Sequence, residues 1–463
     1  MTVPTSSPDA ATPVARTRPA RRSIDELSLP IDEATLASIV AGSPAWLADD
    51  RRAAFAAWAT LPGESNLLYT PYIDLRAARL DGATVVSTIE SPAPAADDGP
   101  PDDADGLIEF AEGRVPATTL SPAARAAGVV VRDLAGDPEP ARELLLDSLP
   151  PADKFAQLTR ALWAQGVFVD IPAGVTLERP IVVRWRLGTP GRALLTRTLV
   201  RLGDGATASI VEELVVADAP SGDPPTQAFF AGTTEVTLGA RARLQVASLQ
   251  ELPGHVVAFQ HRVANIGEGA SLQWALAQLG GRLVRSRVDN RLVGDRSSVE
   301  QVEIVFGADE QVFDLTSYTT HIGRDTTGDL LSKAALLEGA RTYLKGLIVI
   351  DRSAVGTDSF LGEFGMNLSK QARSVAIPSL EIDQPDCRRA AHASSVGPID
   401  ETQLFYLESR GIPPDQARKF IVLGFLEPVV ARVPLASAQD RLRELLEAKW
   451  IAGTDGHTDG AAA

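Results

Sequence analysis

Between about residues 180 and 390 the chain keeps returning to one short frame: an apolar residue, Gly, two variable positions, then Ala or Ser opening an alternating β-branched run. Four copies align on Gly203, Gly239, Gly267 and Gly294, spaced 36, 28 and 27 residues apart, as in "TLVRLGDGATASIVEELVV" and "RVANIGEGASLQWALAQL". Helical patterns are scarce between them. A glycine turn, a small residue and a strand, repeated many times, describe coils that bury their apolar faces only by stacking on one another. Because the turns look alike, a β-helix or flattened β-solenoid fits better than a sandwich, although strand periodicity alone leaves both open.

The flanking segments read differently. Residues 1–24 carry arginines but no apolar core and read as a disordered leader, not a secretory signal; an organelle transit peptide is the alternative. Residues 25–175 read as an N-terminal helical and mixed subdomain. Within it, "SPAWLADDRRAAFAAWATL" keeps helical spacing, with Ser43 as cap and Pro44 in the first turn. Residues 91–106 form a Pro- and Asp-rich solvated loop, and 153–175 open as a helix ending at Gly166 before the extended "VFVDIP". The β core is expected over 176–397, a helical subdomain over 398–450 and a loose tail over 451–463. In that subdomain Asp400 caps a helix ending at Gly411, and Leu435, Ala438, Leu442, Leu445 and Leu446 share one stripe. Such helices cap a solenoid or dock a partner.

Composition removes several function classes. The formal net charge of −16 argues against non-specific nucleic-acid binding, which needs a basic surface. No apolar run reaches the roughly 18 residues that a membrane span requires. The single cysteine, Cys387, excludes an internal disulfide framework and any multi-cysteine metal centre built from this chain alone. It also fits a reducing compartment, so the expected location is the cytoplasm, with a plastid stroma as the alternative. P-loop, dinucleotide-binding, H-E-x-x-H, C-x-x-C and G-x-S-x-G patterns are all missing.

Chemistry is most concentrated in "EIDQPDCRRAAHASSVGPIDETQLFYLESRGI", where His392 follows Cys387 by five positions. The pair reads as a metal site, as a nucleophile with its base, or as a turn that holds both. A Cys-x4-His spacing is not a standard ligand pair, and no third group or oxyanion site accompanies it. Imidazole accepts iron or zinc, so His392 is the stronger candidate and Cys387 reads as incidental. His321 reads as a polar turn residue on a core coil, and Glu363 as a solvated or inward polar residue.

The same stretch, with "WLADDRRAAFAAWATLP", "DKFAQLTRALWAQGVFVDIPAGVTLERPIVV" and "YLKGLIVIDRSAVGTDSF", resembles the SufB/SufD family of iron–sulfur cluster assembly proteins. The resemblance covers about 45–70 and 150–445. It implies a right-handed parallel β-helix core flanked by N-terminal and C-terminal helical subdomains, and a scaffold subunit that is not itself an enzyme. In that family the SufB and SufD types pair through their cores, and each docks the ATPase SufC through C-terminal helices. SufB types are similar to one another in a late-coil cysteine and a His-Glu pair. Here His392 precedes Ala393 and Glu363 stands near the cysteine's place, so the chain resembles the SufD type, with a SufB-type paralogue as the alternative. The implied partners are a SufB-like paralogue and a SufC-like ATPase, with a homodimer when the paralogue is scarce. Phe405, Arg410, Phe420, Phe425 and Glu427 are the implied interface residues. His392 becomes a candidate ligand for a transient iron or iron–sulfur cluster shared with SufB, and no tightly bound cofactor is implied.

The rival reading is a β-solenoid carbohydrate lyase or hydrolase. It needs paired carboxylates on one face of adjacent coils, and Asp289, Asp309, Asp314 and Asp325 are the candidates. Few aromatics for sugar stacking count against it.

Overall fold

The computed structural model describes residues 24–92, 102–216 and 226–455, so the expected leader, apart from Ile24, lies outside the described residues. The apolar–Gly frames become turns, and the runs between them become strands. In chain order these are β1 (Gln165–Ile171), β2 (Ile181–Leu187), β3 (Arg192–Leu202), β4 (Thr207–Val216), β5 (Ala228–Leu238), β6 (Arg243–Gln250), β7 (Val256–Ile266) and β8 (Ser271–Gln278). They continue as β9 (Leu283–Leu292), β10 (Ser298–Gly307), β11 (Val312–His321), β12 (Thr327–Leu336), β13 (Arg341–Ile350), β14 (Asp358–Asn367), β15 (Arg373–Ile382) and β16 (Arg389–Gly397). Odd-numbered strands pair in parallel in one sheet and even-numbered strands in the other. Each coil thus gives one strand to each sheet, making a parallel β-solenoid of about 8 turns.

The turns explain the recurrent frame. The glycines stack on the backbone of the preceding coil: a Cβ at Gly294 would lie 2.1 Å from the Glu268 amide nitrogen, and one at Gly267 would lie 2.5 Å from the Leu238 carbonyl oxygen. Only a residue without Cβ permits that approach. Two positions on, the chain enters the left-handed region at Gly205, Arg241, Gly269, Arg296 and Asp325. The small residue that follows, Ala206, Ala242, Ala270, Ser297 or Thr326, is fully buried in every case.

In-register pairing sorts side chains into columns. Val246, Trp274, Gln301, Leu330, Leu361 and His392 form one inward column of the even sheet. The interior is mostly aliphatic, with a polar seam in which Arg262 donates to Ser248 at 2.8 Å and to Glu212 at 3.1 Å. Two further apolar clusters coat the outer faces. N-terminal helices α1 (Glu33–Val40), α2 (Ala45–Thr60) and α3 (Lys154–Leu162) cover the odd sheet. C-terminal helices, after α4 (Glu401–Ser409), are α5 (Pro414–Val430) and α6 (Ala436–Asp455), which cover the even sheet.

Several boundaries differ from those read in the sequence. Helix α3, capped by Asp153, stops at Leu162, and Gly166 lies inside β1. The β-branched run there pairs with β3, and a Cβ at Gly166 would sit 2.7 Å from the Arg197 carbonyl oxygen, so this glycine marks strand stacking, not a helix end. The solenoid therefore begins before 176, and Gly106–Ala111 extends the even sheet beyond β2. Of the loop placed at 91–106, residues 93–101 lie outside the described residues. Ala104 and Asp105 are buried, not solvated, because Asp105 pairs with Arg179 and accepts from the Ser121 hydroxyl at 2.9 Å. Pro44, not Ser43, occupies the cap position of α2. Asp400 caps α4 by accepting from the Thr402 amide at 2.8 Å. Helix α6 runs past 450 to Asp455, and the rest of the expected tail, 456–463, is outside the described residues.

Stacking by glycine is testable. Gly294→Ala forces backbone apart between two coils and should lower stability by about 3 kcal/mol. Gly254→Ala, which meets nothing within 4 Å, should change it by less than about 0.5 kcal/mol. Urea unfolding of both variants decides, and matching midpoints would contradict the stacking account.

Candidate functional site

The two ends of the solenoid are unlike. At the start, Val130–Asp133 pairs antiparallel with β1, while Gly106–Ala111 and then Ala117–Leu120 extend the even sheet beyond β2. At the other end β15 pairs only with β13 and β16 only with β14. Both last strands therefore present unpaired N–H and C=O groups, the property that makes an edge a template for another chain. Their inward apolar side chains lack a covering coil, and Ile382 and Val396 are 46% and 40% exposed.

His392 stands on this bare coil. It continues the inward column above Leu361, yet is itself exposed, because no further coil rests on it. Glu363 lies one coil below, between Ser332 and Ser394 in the next inward column. It points inward, is 1% exposed, and accepts the Ile377 amide at 2.9 Å. Burial pushes its pKa up to about 8, so the carboxyl is neutral at pH 7. Cys387 is half-buried in the turn between β15 and β16 and packs against the interior cluster. His321 is a core residue, not a turn residue. Its ring contacts Thr326 at 2.8 Å and Ser359 at 3.0 Å, and burial lowers its pKa to about 4. Among the described residues no three His, Cys, Asp or Glu side chains converge on a metal-sized site.

The arm that follows β16 divides the expected interface residues. Helix α4 buries none of its residues; Phe405 is 70% and Tyr406 56% exposed, with Arg410 5.2 Å over the Tyr406 ring. Phe420, on the first half of α5, is 55% exposed. All three aromatics are exposed on the helices that follow the last coil. Phe425 instead faces the solenoid, where Lys333 donates to its carbonyl at 3.0 Å and lies 4.7 Å from its ring centroid. Glu427 is half-exposed beside Arg443.

Sequence reasoning missed a buried ionic layer between the odd sheet and the N-terminal subdomain. Arg197 pairs with Glu235, and Arg285 with Glu64. His261 bonds Asp289 at 2.6 Å, and Arg287 bridges Asp289 and Asp153. Burial alone would raise the Asp153 carboxyl, but Arg287, His261 and Arg285 hold it well below the usual carboxylate range. The only signal in the sequence is charge at the centre of apolar strands, as in "FQHRVA" and "VRSRVDNR". The four aspartates singled out in the sequence fall into two kinds of place. Asp289 and Asp314 are each tied to a buried cation, Arg287 and Lys345, whereas Asp309 and Asp325 occupy exposed left-handed turn positions.

The chain is thus a parallel β-solenoid with one end unpaired on both sheets and exposed aromatic side chains on the helices that follow it. Residues 185–425 match the family model described as SUF system FeS cluster assembly, SufBD core domain. The chain belongs to this SufBD family of SUF iron–sulfur cluster assembly proteins. It is similar to the iron–sulfur cluster assembly protein SufD of Bacillus subtilis (strain 168), 29% identical over 297 residues, covering 64% of this chain and 67% of that one. An iron–sulfur cluster assembly SufBD family protein of Staphylococcus epidermidis (strain ATCC 12228 / FDA PCI 1200) is 27% identical over 321 residues, 68% of each chain. No helix among the described residues is long and apolar enough to cross a membrane.

Glu363 gives the site a pH signature. Its pKa is higher folded than unfolded, so its contribution is complete below the unfolded value of about 4.5. That contribution is lost progressively as pH rises to the folded value of about 8. The slope is about 1.4 kcal/mol per pH unit at most. Glu363→Gln keeps an acceptor for Ile377 and should be clearly more stable than the parent at pH 8 but equal to it near pH 4. Denaturant melts showing the same pH dependence for both proteins would refute the neutral buried carboxyl.

Proposed function

We propose that this chain is a scaffold subunit of SufD type, catalysing no reaction itself, that pairs through the bare end of its solenoid with a SufB-type paralogue. We further propose that it receives a SufC-type ATPase on the arm formed by α4 and the first half of α5. The observation that carries the reading is the asymmetry of the solenoid: one end is closed by antiparallel strands, and the other is open on both sheets. An open parallel edge with exposed apolar side chains gains ladder hydrogen bonds and apolar burial together when a similar edge meets it.

The chemistry follows from where His392 stands. It is the last residue of an inward column, so a partner solenoid abutting this end would bring its own donors within reach. Iron or a nascent cluster is cargo here, held between two chains. His392 supplies an imidazole and the paralogue supplies the remaining ligands. Cys387, turned toward the interior cluster, takes no part. ATP binding and hydrolysis would belong to the ATPase, and this chain would transmit its movement through the arm to β16. A homodimer through the same open end is the alternative assembly when the paralogue is scarce.

Co-expression of the tagged chain with the paralogue and ATPase of its own organism should yield one complex containing one copy of this chain, one paralogue and two ATPase subunits. Phe405→Asp with Phe420→Asp should lose the ATPase while retaining the paralogue and the parent's thermal midpoint, because both side chains are exposed in the free chain. His392→Ala should assemble normally but carry less iron. Capture of ATPase undiminished by the double substitution would reject the arm as its dock, and a chain that recruits neither partner would reject the scaffold assignment.

A further inference from the structure

A second feature lies on the outer face of the odd sheet and reaches β13, the neighbour of the edge strand β15. A cavity of about 430 Å³ opens between the segment Asp74–Arg79 and the rim of strands β11 and β13. Arg76, Arg79, Arg282 and Arg341 all line it, against the carboxylates of Asp74 and Glu310. In a chain of net charge −16, four arginines at one cavity are a local reversal of sign.

The charges are only partly matched within the protein. Arg76 and Asp74 satisfy each other, with Arg76 Nη2 2.6 Å from Asp74 Oδ2. Arg282 is different: its Nη1 is buried and has no hydrogen-bond partner. Arg79 and Arg341 belong to no ion pair among the described residues. A buried guanidinium nitrogen without an acceptor is costly, and in native proteins it commonly marks a missing ligand, ion or water.

The walls are held in place without the arginines' help. Gln227 accepts from the Arg79 amide at 2.6 Å and donates to the Ala77 carbonyl at 3.1 Å, which pins the segment to the solenoid. The Arg282 amide donates to the Val256 carbonyl at 2.7 Å. Tyr343 packs beside Tyr72, with ring centroids 6.2 Å apart. A larger groove of about 600 Å³, near Leu146 and Tyr318, lacks this character. Its Arg160 is bound to Asp50 and its Arg287 to Asp153 and Asp289, which leaves Arg291 alone there outside an ion pair among the described residues.

We propose that the cavity binds a phosphorylated small molecule, gripped at the phosphate by Arg282, Arg341 and Arg79. Guanidinium forks match phosphate oxygens in pairs, and several lining one cavity favour a group with at least two negative charges. The volume falls within the roughly 300–1,000 Å³ typical of small-molecule sites, so it admits more than the phosphate alone. Polycarboxylates share the charge but not the tetrahedral spacing of acceptors, and they form the competing chemistry.

Calorimetric titration of the full chain with pyrophosphate tests this, with citrate titrated in parallel. Pyrophosphate should bind with Kd of about 100 μM or tighter, and binding should weaken as salt rises. Arg282→Gln and Arg341→Gln should each weaken it about tenfold or more. Arg296→Gln, at a distant exposed turn, should leave it unchanged. Arg341 is exposed, so its variant should keep the parent's thermal midpoint and carries the test alone if Arg282→Gln misfolds. No binding by the parent at about 10 mM pyrophosphate, an equal loss in Arg296→Gln, or citrate binding as tightly as pyrophosphate would each overturn the proposal.

Discussion

The close approach of one turn's backbone to the next is the constraint on which the rest of the molecule depends. Parallel strands sit about 4.8 Å apart, and stacked coils hold that spacing only if their turns are equally thin. At Gly203, Gly239, Gly267, Gly294 and Gly323 the chain meets this demand by omitting the side chain, since any Cβ there would lie within 2.1–2.5 Å of the neighbouring coil. Once the turns register, the strands register, and every column of side chains follows. The exposure of His392 at the end of its column is a late consequence of that geometry, not a separate feature.

Regular stacking leaves two broad outer faces, each needing cover. The even sheet is covered mainly by aliphatic contacts from α5 and α6, with Val422, Leu426, Leu442 and Leu446 all buried. The odd sheet is covered differently, by apolar side chains together with buried ion pairs such as Arg287 with Asp153 and Arg285 with Glu64. Buried pairs of this kind add little net stability compared with well-packed apolar substitutes, because desolvation offsets their attraction. Their directional hydrogen bonds do something that greasy contact does not: they define where on a repetitive sheet the subdomain must sit. A face made of nearly identical coils would otherwise offer several similar docking positions one coil apart.

Much of this architecture was legible from local pattern. The recurrent glycine frame announced stacked coils, the amphipathic stripe from Leu435 to Leu446 announced a docked helix, and Asp400 announced a helix start. Gly166 was misread because a glycine after a helical run signals either a cap or a strand pressed against a neighbour, and only the neighbour, Arg197, decides. The buried ionic layer was out of reach for another reason. Arg285 and Glu64 are 221 positions apart, and no local period relates them. The arginine cavity likewise joins Arg79 to Arg282 and Arg341 only after the chain has coiled. His392 was singled out as a residue, but its exposure comes from standing on a strand with one neighbour, which no residue-level pattern reports.

That strand is also the natural place for movement to arrive. Only residues 398–400 separate the end of β16 from the start of α4, a stretch that extends at most about 10 Å. Helix α4 buries no side chain, whereas α5 is anchored through Val422, Leu426, Val429 and Val430. A displacement applied to the exposed part of the arm therefore has two exits. One leads into α5, which resists because its apolar face is packed on the even sheet. The other leads through a short connection into β16, which is held by a single ladder to β14 and carries largely exposed side chains. Edge elements with few buried contacts open at the lowest free energy in a fold. If the arm does receive a partner at Phe405, as proposed, the coil bearing His392 is the one with the fewest contacts to resist a pull.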